Sequence, residues 1–180
     1  VKGQVQTDNE KLQLKIDNVS AADEQSYEMG AFIASSHRGA ETMQDELRKL
    51  ISSVQNSFLQ TLLERLFVQG DTGKIFRHSP AAKGIHHAYM GGLLEHSLSM
   101  AKVSLMLAGH YEGIDSDLLV AGALLHDIGK TVELQNATGV IDYTDTGRLK
   151  GHLVIGCEMI GREAEHIEGF PGDLLAQLQH

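Results

Sequence analysis

The chain has 180 residues, of which 42% are hydrophobic and 22% are charged, and its formal net charge at pH 7 is −9. This length suffices for one sizeable domain with a small appendage, but not for two ordinary domains. No apolar run is long enough to cross a bilayer, and the N-terminus lacks the basic and apolar regions of a signal peptide. Cys157 is the only cysteine, so an intrachain disulfide is excluded and a reducing cytoplasm fits best.

The acidic balance limits how the protein can hold nucleic acid. A domain that binds nucleic acid by surface electrostatics alone is normally basic. A polyanionic substrate would therefore need a local contact, made by a metal ion and a few lysines and arginines. The chain starts at Val1 without a methionine and stops at His180 inside an expected helix, so we expect it to be part of a longer protein.

The first twenty residues predict a β-hairpin. Apolar and polar residues alternate over Val1–Gln6 and again over Leu12–Ile16, on either side of the turn-forming residues 7–10. Two strands alone are marginally stable in water, so we expect the hairpin to belong to a larger sheet. Residues 21–42 are interpreted as a linker that contains a short apolar helix around residues 29–34.

Residues 43–180 predict a helical domain, so the expected fold class is mainly α. Apolar residues at spacings of three and four predict one long helix from Met43 to Leu66 and another from Ala88 to Ala108. Residues 71–84, which include Pro80, are interpreted as a loop or short turns.

A third helix is expected over Leu118–Asp127, and it is apolar on nearly every side, which indicates burial. Asp115 or Ser116 can cap its N-terminus, and Gly129 stands where a helix C-terminus favours positive φ. Beyond it, the sequence predicts a small hairpin across residues 144–147, a helix over about 151–167, and a final helix capped by Asp173.

His126 and Asp127 end the third helix. Burying an imidazole and a carboxylate is costly unless something pairs with them. His96 lies on the preceding helix, and consecutive helices joined by a short loop usually pack antiparallel, which can bring the three side chains to one point. Imidazole with carboxylate suits Mn²⁺, Fe²⁺, Co²⁺, Ni²⁺ or Zn²⁺ better than Ca²⁺ or Mg²⁺ alone.

Two further residues belong to this hypothesis. His152 can add a ligand or hold a second ion, and Lys130 can reach a phosphate oxygen near the metal. A single buried histidine such as His96 is more often a hydrogen-bonded core residue than a ligand, and Lys130 can simply complement the helix dipole. An adjacent His-Asp pair at the end of an apolar helix has no comparable structural explanation.

The segments around these residues resemble a known family. His96 followed by His126 and Asp127 is similar to the opening of the HD superfamily of metal-dependent phosphohydrolases. More narrowly, HHAYMGGLLEHS at 86–97, ALLHDIGK at 123–130, and Tyr143-Thr144 followed by GRLKGH at 147–152 resemble the YhaM-type 3′-to-5′ exoribonucleases. Members of that family join an N-terminal OB fold, which binds single strands, to an HD domain.

The resemblance implies a function for particular segments and residues. Residues 1–20 would be the end of the OB fold, and residues 43–180 an HD domain whose further histidines and closing aspartate follow His180. The cofactor would be a divalent transition metal, with Mn²⁺ as first choice and Co²⁺, Fe²⁺, Ni²⁺ or Zn²⁺ as others. The implied metal ligands are His96, His126, Asp127 and His152, the catalytic residues Asp127 and Lys130, and the substrate-binding residues His86, His87 and Lys130.

Three functions remain open on the sequence. The first is a phosphodiesterase that removes nucleotides from the 3′ end of single-stranded RNA or DNA with metal-activated water. The second is an HD-type phosphohydrolase of small nucleotides, and the third is a nucleic-acid-binding module with a vestigial metal site. The hairpin favours the first over the second, and the intact His96, His126, Asp127 and Lys130 oppose the third. No membrane partner is expected, and the sequence does not determine the oligomeric state.

Overall fold

The structure is a computed structural model, and it describes residues 1–9, 11–23, 34–136 and 140–180. Contacts divide the chain into two compact units, Val1–Phe32 and Ile33–His180. Helices dominate the second unit, so the expected mainly α class is confirmed. The short helix expected around residues 29–34 falls almost entirely outside the described residues. No helix within the described ranges is both long and apolar enough to cross a membrane.

The first unit contains the predicted hairpin, formed by β1 (Lys2–Asp8) and β2 (Lys11–Asn18) in antiparallel register. Side chains alternate between the two faces of a strand, so the apolar residues of both strands share one face. Val5 lies opposite Leu14. Both are exposed, at 71% and 50% of their surface. The hairpin therefore presents an apolar face that it does not bury itself.

The second unit begins with α1 (Ala40–Ser53), α2 (Ser57–Glu64) and a π-helical turn over Arg65–Gln69. The prediction of one continuous helix from Met43 to Leu66 is therefore wrong. The backbone at Val54 is extended, with φ −69° and ψ 122°. The apolar spacing continues across this break, which is why the sequence pattern concealed it.

Side chains on either side stabilise the break between α1 and α2. The Asn56 side chain accepts hydrogen bonds from the N–H groups of Phe58 and Leu59 and so caps α2. The carboxylate of Asp117 accepts from the N–H groups of Gln55 and Asn56, at 2.8 and 2.7 Å. The break is thus held by hydrogen bonds to Asp117, which links the first two helices to a part of the chain about 60 residues away.

The middle of the unit differs from expectation at two places. Residues 71–84 do not form only a loop, because α3 spans Asp71–His78. The next helix, α4, spans Gly92–His110 and starts four residues later than predicted. Gly91 before it has a φ of 78°, which is outside the helical region.

The buried helix is α5 (Ser116–Leu125), and Asp115 caps it by accepting from the N–H of Leu118 at 3.0 Å, as predicted. A single-turn helix α6 (Lys130–Glu133) follows. A hairpin of β3 (Leu134–Asn136) and β4 (Ile141–Tyr143) comes next.

The predicted position of this hairpin is wrong, because residues 144–147 begin a helix instead of a turn. Thr144 caps α7 (Asp145–Ala164) by accepting from the N–H of Gly147 at 2.9 Å. Gly151, with φ 72°, kinks α7. The last helix, α8 (Gly172–Gln179), begins after Pro171 without a side-chain cap there.

The core lies between the first helices and the pair α4 and α5. Its leucines interdigitate with no exposed surface, which is the packing expected of a single helical core. Fully buried members include Leu59, Leu62, Leu63, Leu93, Leu98, Leu124 and Ile128.

Gly129 allows α7 to pack directly against the end of α5. Its φ is −62°, so the expectation of a positive-φ helix terminus is wrong. A Cβ at this position would overlap the carbonyl oxygen of His152 and lie 2.7 Å from the nitrogen of Gly156. The glycine is therefore required by close approach, and that approach brings His152 towards the end of α5.

Replacing Gly129 with alanine should lower the free energy of unfolding by about 1–3 kcal/mol, the cost of overpacking. Gly122→Ala is the matched control, because a Cβ there meets nothing within 4 Å. The control should be neutral or stabilising by up to about 1 kcal/mol, since alanine favours helix. Denaturant unfolding measures both. Equal stabilities of the two variants would contradict the close approach.

An ion-pair cluster joins α1 to α4 and to the segment before α1. The carboxylate of Glu46 lies 2.5 Å from Arg38 Nη2 and 2.7 Å from Lys102 Nζ. Hydrogen bonds from Lys102 and Arg38 lower the pKa of Glu46. Its stabilising contribution is therefore complete above the ordinary carboxyl pKa and is lost as the pH falls through the lowered value.

Glu46→Gln should reduce the free energy of unfolding at pH 7 by up to about 1 kcal/mol, the value of a partly exposed ion pair. The difference from the unmodified protein should shrink as the pH falls below about 4.5. Urea unfolding across that range measures it. Asp45→Asn removes an exposed pair with Arg48 at 3.4 Å and serves as control. A pH-independent difference for Glu46→Gln would contradict this assignment.

Candidate metal centre

The carboxylate of Asp127 lies at the end of α5, and only 4% of the residue is exposed. Its Oδ2 is 2.8 Å from Lys130 Nζ, 3.3 Å from His126 Nε2 and 3.5 Å from His96 Nε2. Its Oδ1 is 3.5 Å from His152 Nε2. The structure therefore brings four of the other six candidate residues around the buried carboxylate of Asp127.

Two of these imidazoles face each other directly. The Nε2 atoms of His96 and His126 are 3.2 Å apart. Together with an oxygen of Asp127, the two residues offer three ligand atoms that all lie within 4.8 Å of one another. Three donors at this spacing can share one metal ion.

Hydrogen bonds on the far side of two rings determine which nitrogen carries the proton. Nδ1 of His126 is 2.9 Å from the carbonyl oxygen of Ala123, and Nδ1 of His152 is 3.0 Å from Oε1 of Glu133. A carbonyl or carboxylate oxygen only accepts, so Nδ1 is the donor in both rings. In the neutral rings Nε2 then keeps its lone pair and faces Asp127.

Glu133 positions His152 through two contacts. Besides the ring, its carboxylate accepts from the backbone N–H of His152 at 2.9 Å, just after the kink at Gly151. Glu133 is itself buried, with 7% exposed. Sequence reasoning did not identify this residue, because its partner is 19 positions away and no local pattern marks the pair.

The electrostatics of the cluster keep Asp127 ionised. Burial alone would raise the pKa of Asp127, but hydrogen bonds from the protonated form of His126, through Nε2–H, and from Lys130 outweigh it and hold the pKa well below the usual range. Burial lowers the pKa of His96, whereas the hydrogen bond with Asp127 raises that of His126. Near neutral pH the site therefore contains a carboxylate and a neutral His96.

The remaining two candidates, His86 and His87, lie beside His96 on the other side. Their ring centroids are 5.6 and 5.5 Å from that of His96. They do not take part in the contacts to Asp127 recorded among the described residues. The structure thus places all seven candidates in one region, with His96 between two groups.

The donor set fits a divalent transition metal. Neutral imidazole nitrogens and a carboxylate oxygen are the ligands preferred by Mn²⁺, Fe²⁺, Co²⁺, Ni²⁺ and Zn²⁺. The ammonium of Lys130 supplies a positive charge at the same carboxylate oxygen, which is where a cation would be stabilised. The cluster of His96, His126 and Asp127 can therefore hold such an ion.

Comparison with protein families places this site in a known context. A family described as "HD domain" matches residues 93–178. A second, described as "Putative helicase", matches residues 25–112. Nucleotide-driven helicases bind phosphate through Gly-x₄-Gly-Lys-Ser/Thr. The nearest segment here, residues 124–131, has Leu124 at the first glycine, so these residues give no support to nucleotide-driven unwinding.

Individual relatives agree with the first family. The chain is 33% identical over its whole length to the 3′-5′ exoribonuclease YhaM of Geobacillus sp. (strain WCH70), covering 55% of that protein. It is 35% identical over 94% of its length to YhaM of Shouchella clausii, covering 52%. For YhaM of Halalkalibacterium halodurans the identity is 33% over the whole chain, covering 55%. The chain therefore spans about half the length of these relatives.

No solved structure matches the chain. The family assignment therefore depends on the sequence comparisons, and the geometry around Asp127 agrees with it. Residues 93–178 are of the HD-domain type, and the chain is similar over 94–100% of its length to the YhaM 3′-5′ exoribonucleases.

Proposed function

We propose that this chain belongs to a metal-dependent phosphodiesterase that removes nucleotides from the 3′ end of single-stranded RNA. The observation that carries the proposal is the convergence of His96, His126 and His152 on the buried carboxylate of Asp127. The similarity to proteins named 3′-5′ exoribonuclease supports the substrate class. Single-stranded DNA is the competing substrate, and the test below includes it.

The roles of the site residues follow from their contacts. His96, His126 and Asp127 would hold the ion, with His152 as a further ligand whose ring Glu133 orients. Mn²⁺ is our first choice of ion, because a carboxylate with imidazole suits it and YhaM-type enzymes are the relatives. When bound, such an ion acidifies the attacking water and neutralises charge on the phosphoryl oxygens.

The chain's own residues supply the remainder of the chemistry. Asp127 stays ionised, because its neighbours hold its pKa low, and its carboxylate can orient the attacking water. Lys130, with 18% of its side chain exposed, can turn from Asp127 towards a phosphate oxygen and stabilise the negative charge that develops there. Neither residue forms a covalent bond to the substrate.

The N-terminal hairpin would supply part of the strand-binding module. Its apolar side chains lie on one face and are at least half exposed; they are Val5, Leu12, Leu14 and Ile16. Such a face is expected where a hairpin packs against further strands, as in the OB fold implied by the resemblance. An OB fold binds single strands by stacking and a local groove, which is compatible with the net charge of −9.

Location in the cytoplasm also remains a proposal. It is supported by the single cysteine, Cys157, which is free and half-buried. RNA substrates and a reducing environment are both consistent with that compartment.

Asp127→Ala in the full-length protein should reduce phosphodiesterase activity at least about 100-fold, as expected for loss of one preorganised electrostatic group. Binding of single-stranded RNA should remain, because Asp127 does not belong to the compact unit that contains the hairpin. The assay uses Mn²⁺ with 5′-labelled RNA or DNA oligonucleotides, and a ladder shortening from the 3′ end is expected.

The control for this variant is Asp173→Ala, which removes an exposed carboxylate on α8. Equal loss of activity and strand binding in Asp127→Ala would show that Asp127 mainly supports the fold. Hydrolysis of free nucleotides without any oligonucleotide ladder would replace the exonuclease proposal with a small-nucleotide phosphohydrolase.

Lys130→Met should lower kcat by about 100-fold while Mn²⁺ binds at least as tightly as before. The reason is that methionine removes the charge offered to the phosphate but also removes a cation that competes for Asp127. Lys74→Met, at an exposed lysine paired with Asp71, is the control. Weaker metal binding with unchanged kcat at saturating Mn²⁺ would instead limit Lys130 to the role of counter-ion.

A further inference from the structure

His87 is held in an uncommon backbone conformation by its surroundings. Its φ is 55°, in the left-handed region that residues other than glycine rarely adopt. Its carbonyl oxygen accepts from the N–H groups of Ala81 at 3.0 Å and Tyr89 at 2.9 Å. A Cβ on Gly92 would overlap this oxygen. Uncommon conformations held by such surroundings cluster at active sites and ligand clamps.

The hydrogen bonds of the His87 ring determine its tautomer. The hydroxyl of Tyr89 donates its one hydrogen to the carboxylate of Glu95 at 2.9 Å, and Ser36 donates to the same oxygen at 2.6 Å. The phenolic oxygen therefore accepts from Nδ1–H of His87 at 2.7 Å. In the neutral ring, the lone pair is left at Nε2.

Glu95 is the anchor of this chain of hydrogen bonds. One oxygen of Glu95, Oε2, accepts from both hydroxyls, and two acceptor bonds at one oxygen are what a carboxylate offers. Glu95 also lies one position before His96 on α4. The same turn of α4 thus carries both His96, a proposed ligand, and Glu95, which orients the ring of His87 through Tyr89.

His87 has the hydrogen-bonding arrangement of a metal ligand. Histidines that bind metals almost always donate their other ring N–H to a carboxylate, a carbonyl or water. His126 and His152 do so through a carbonyl and a carboxylate, and His87 does so through a phenol backed by a carboxylate. A neutral ring with its lone pair at Nε2 cannot donate to a phosphate oxygen, so a cation suits His87 better than the phosphate contact expected from the resemblance.

The imidazoles of His86 and His96 lie close enough to that of His87 for all three to bind one ion. The ring centroids of His86 and His87 are 4.6 Å apart, and the three rings of His86, His87 and His96 each offer a nitrogen within 4.8 Å of the others. We infer that these three histidines form a second transition-metal site beside the proposed centre at Asp127. Three neutral imidazoles without a carboxylate favour Zn²⁺, Cu²⁺, Ni²⁺ or Co²⁺ over Mg²⁺ or Ca²⁺.

His96 belongs to both proposed metal sites, the one at Asp127 and the one at His86 and His87. It can therefore bind an ion in only one of the two sites at a time. A neutral imidazole has one lone pair, so His96 binds one ion at a time. With an ion at His126 and Asp127, a second ion would be held by His86 and His87 together with water. The inference uses the proposed function only to locate the first ion, and removing that ion should leave His96 free for the second.

The test therefore starts from the His126→Ala/Asp127→Ala double variant and uses Zn²⁺ alone as the probe in isothermal titration. This variant should bind one Zn²⁺. Adding His87→Ala should lower the affinity for Zn²⁺ by more than about 100-fold. Losing a residue that only hydrogen-bonds to a ligand costs at most about 100-fold, so a larger loss indicates a ligand. His166→Ala, which removes an exposed imidazole at the end of α7, is the control in the same background and should change nothing.

Tyr89→Phe separates a positioning role from a purely structural one. In the double-variant background it should lower Zn²⁺ affinity about 10- to 100-fold, because only the hydroxyl that holds the His87 ring is lost. The ¹⁵N signals of the His87 ring should report Nδ1–H before the substitution and mixed tautomers after it. Circular dichroism melting confirms that each variant is folded.

Either of two results would overturn the inference: no Zn²⁺ binding by a folded double variant, or equal affinity with and without His87. The proposed function fails separately, if the full-length protein with Mn²⁺ leaves single-stranded RNA intact. The Zn²⁺ titration does not depend on that assay, so the two outcomes are distinguishable.

Discussion

The negative charge of Asp127, buried at the end of α5, is the constraint on which the rest of this unit depends. An unpaired buried carboxylate would be very costly, and here an ammonium and three imidazoles surround it. Each comes from a different part of the chain: α4, the end of α5, the start of α6, and α7 after its kink. The packing of these helices therefore brings the four side chains to the two carboxylate oxygens of Asp127.

Glycines make this convergence possible at backbone level. Gly129 allows α7 to touch the end of α5, and Gly151 bends α7 so that the N–H of His152 meets Glu133. Gly92 plays a similar part for the loop that carries His87. At Gly129 and Gly92 the space that a side chain would occupy is filled by another segment's backbone, whereas Gly151 is needed for its φ of 72°.

The imidazoles share one hydrogen-bonding principle. His87, His126 and His152 each donate Nδ1–H to an oxygen outside the cluster, although the acceptors are a phenol, a carbonyl and a carboxylate. This arrangement leaves Nε2 with its lone pair in all three neutral rings. The rings are thus oriented before any ion binds, which reduces the rearrangement that binding requires. A cation at His126 must still displace the proton that the hydrogen bond with Asp127 favours on that ring.

The sequence predicted which residues come together better than it predicted the helices and strands that carry them; their roles as ligands stay a prediction. The pair His126-Asp127 was identifiable because two polar residues end an apolar helix, and the Asp115 cap was identifiable because it acts within one turn. The break at Val54 was not, since the apolar spacing continues through it and one of its determinants, Asp117, lies 61 residues from Asn56. Glu133 was missed for a similar reason, since its partner His152 lies 19 positions away. The Tyr89–Glu95 pair lies close in sequence to His87, but no residue pattern marks its hydrogen bonds to that ring.

Anomalous diffraction from crystals soaked in Mn²⁺ tests the central claim most directly, because it locates the ion without an activity assay. We expect a peak within bonding distance of the facing nitrogens of His96 and His126 and of an oxygen of Asp127, at about 2.0–2.2 Å for each bond. The ammonium of Lys130 should move away from that oxygen as the ion binds. Crystals that contain Mn²⁺ elsewhere, or an unchanged Lys130–Asp127 contact with no peak beside it, would contradict a metal centre at Asp127.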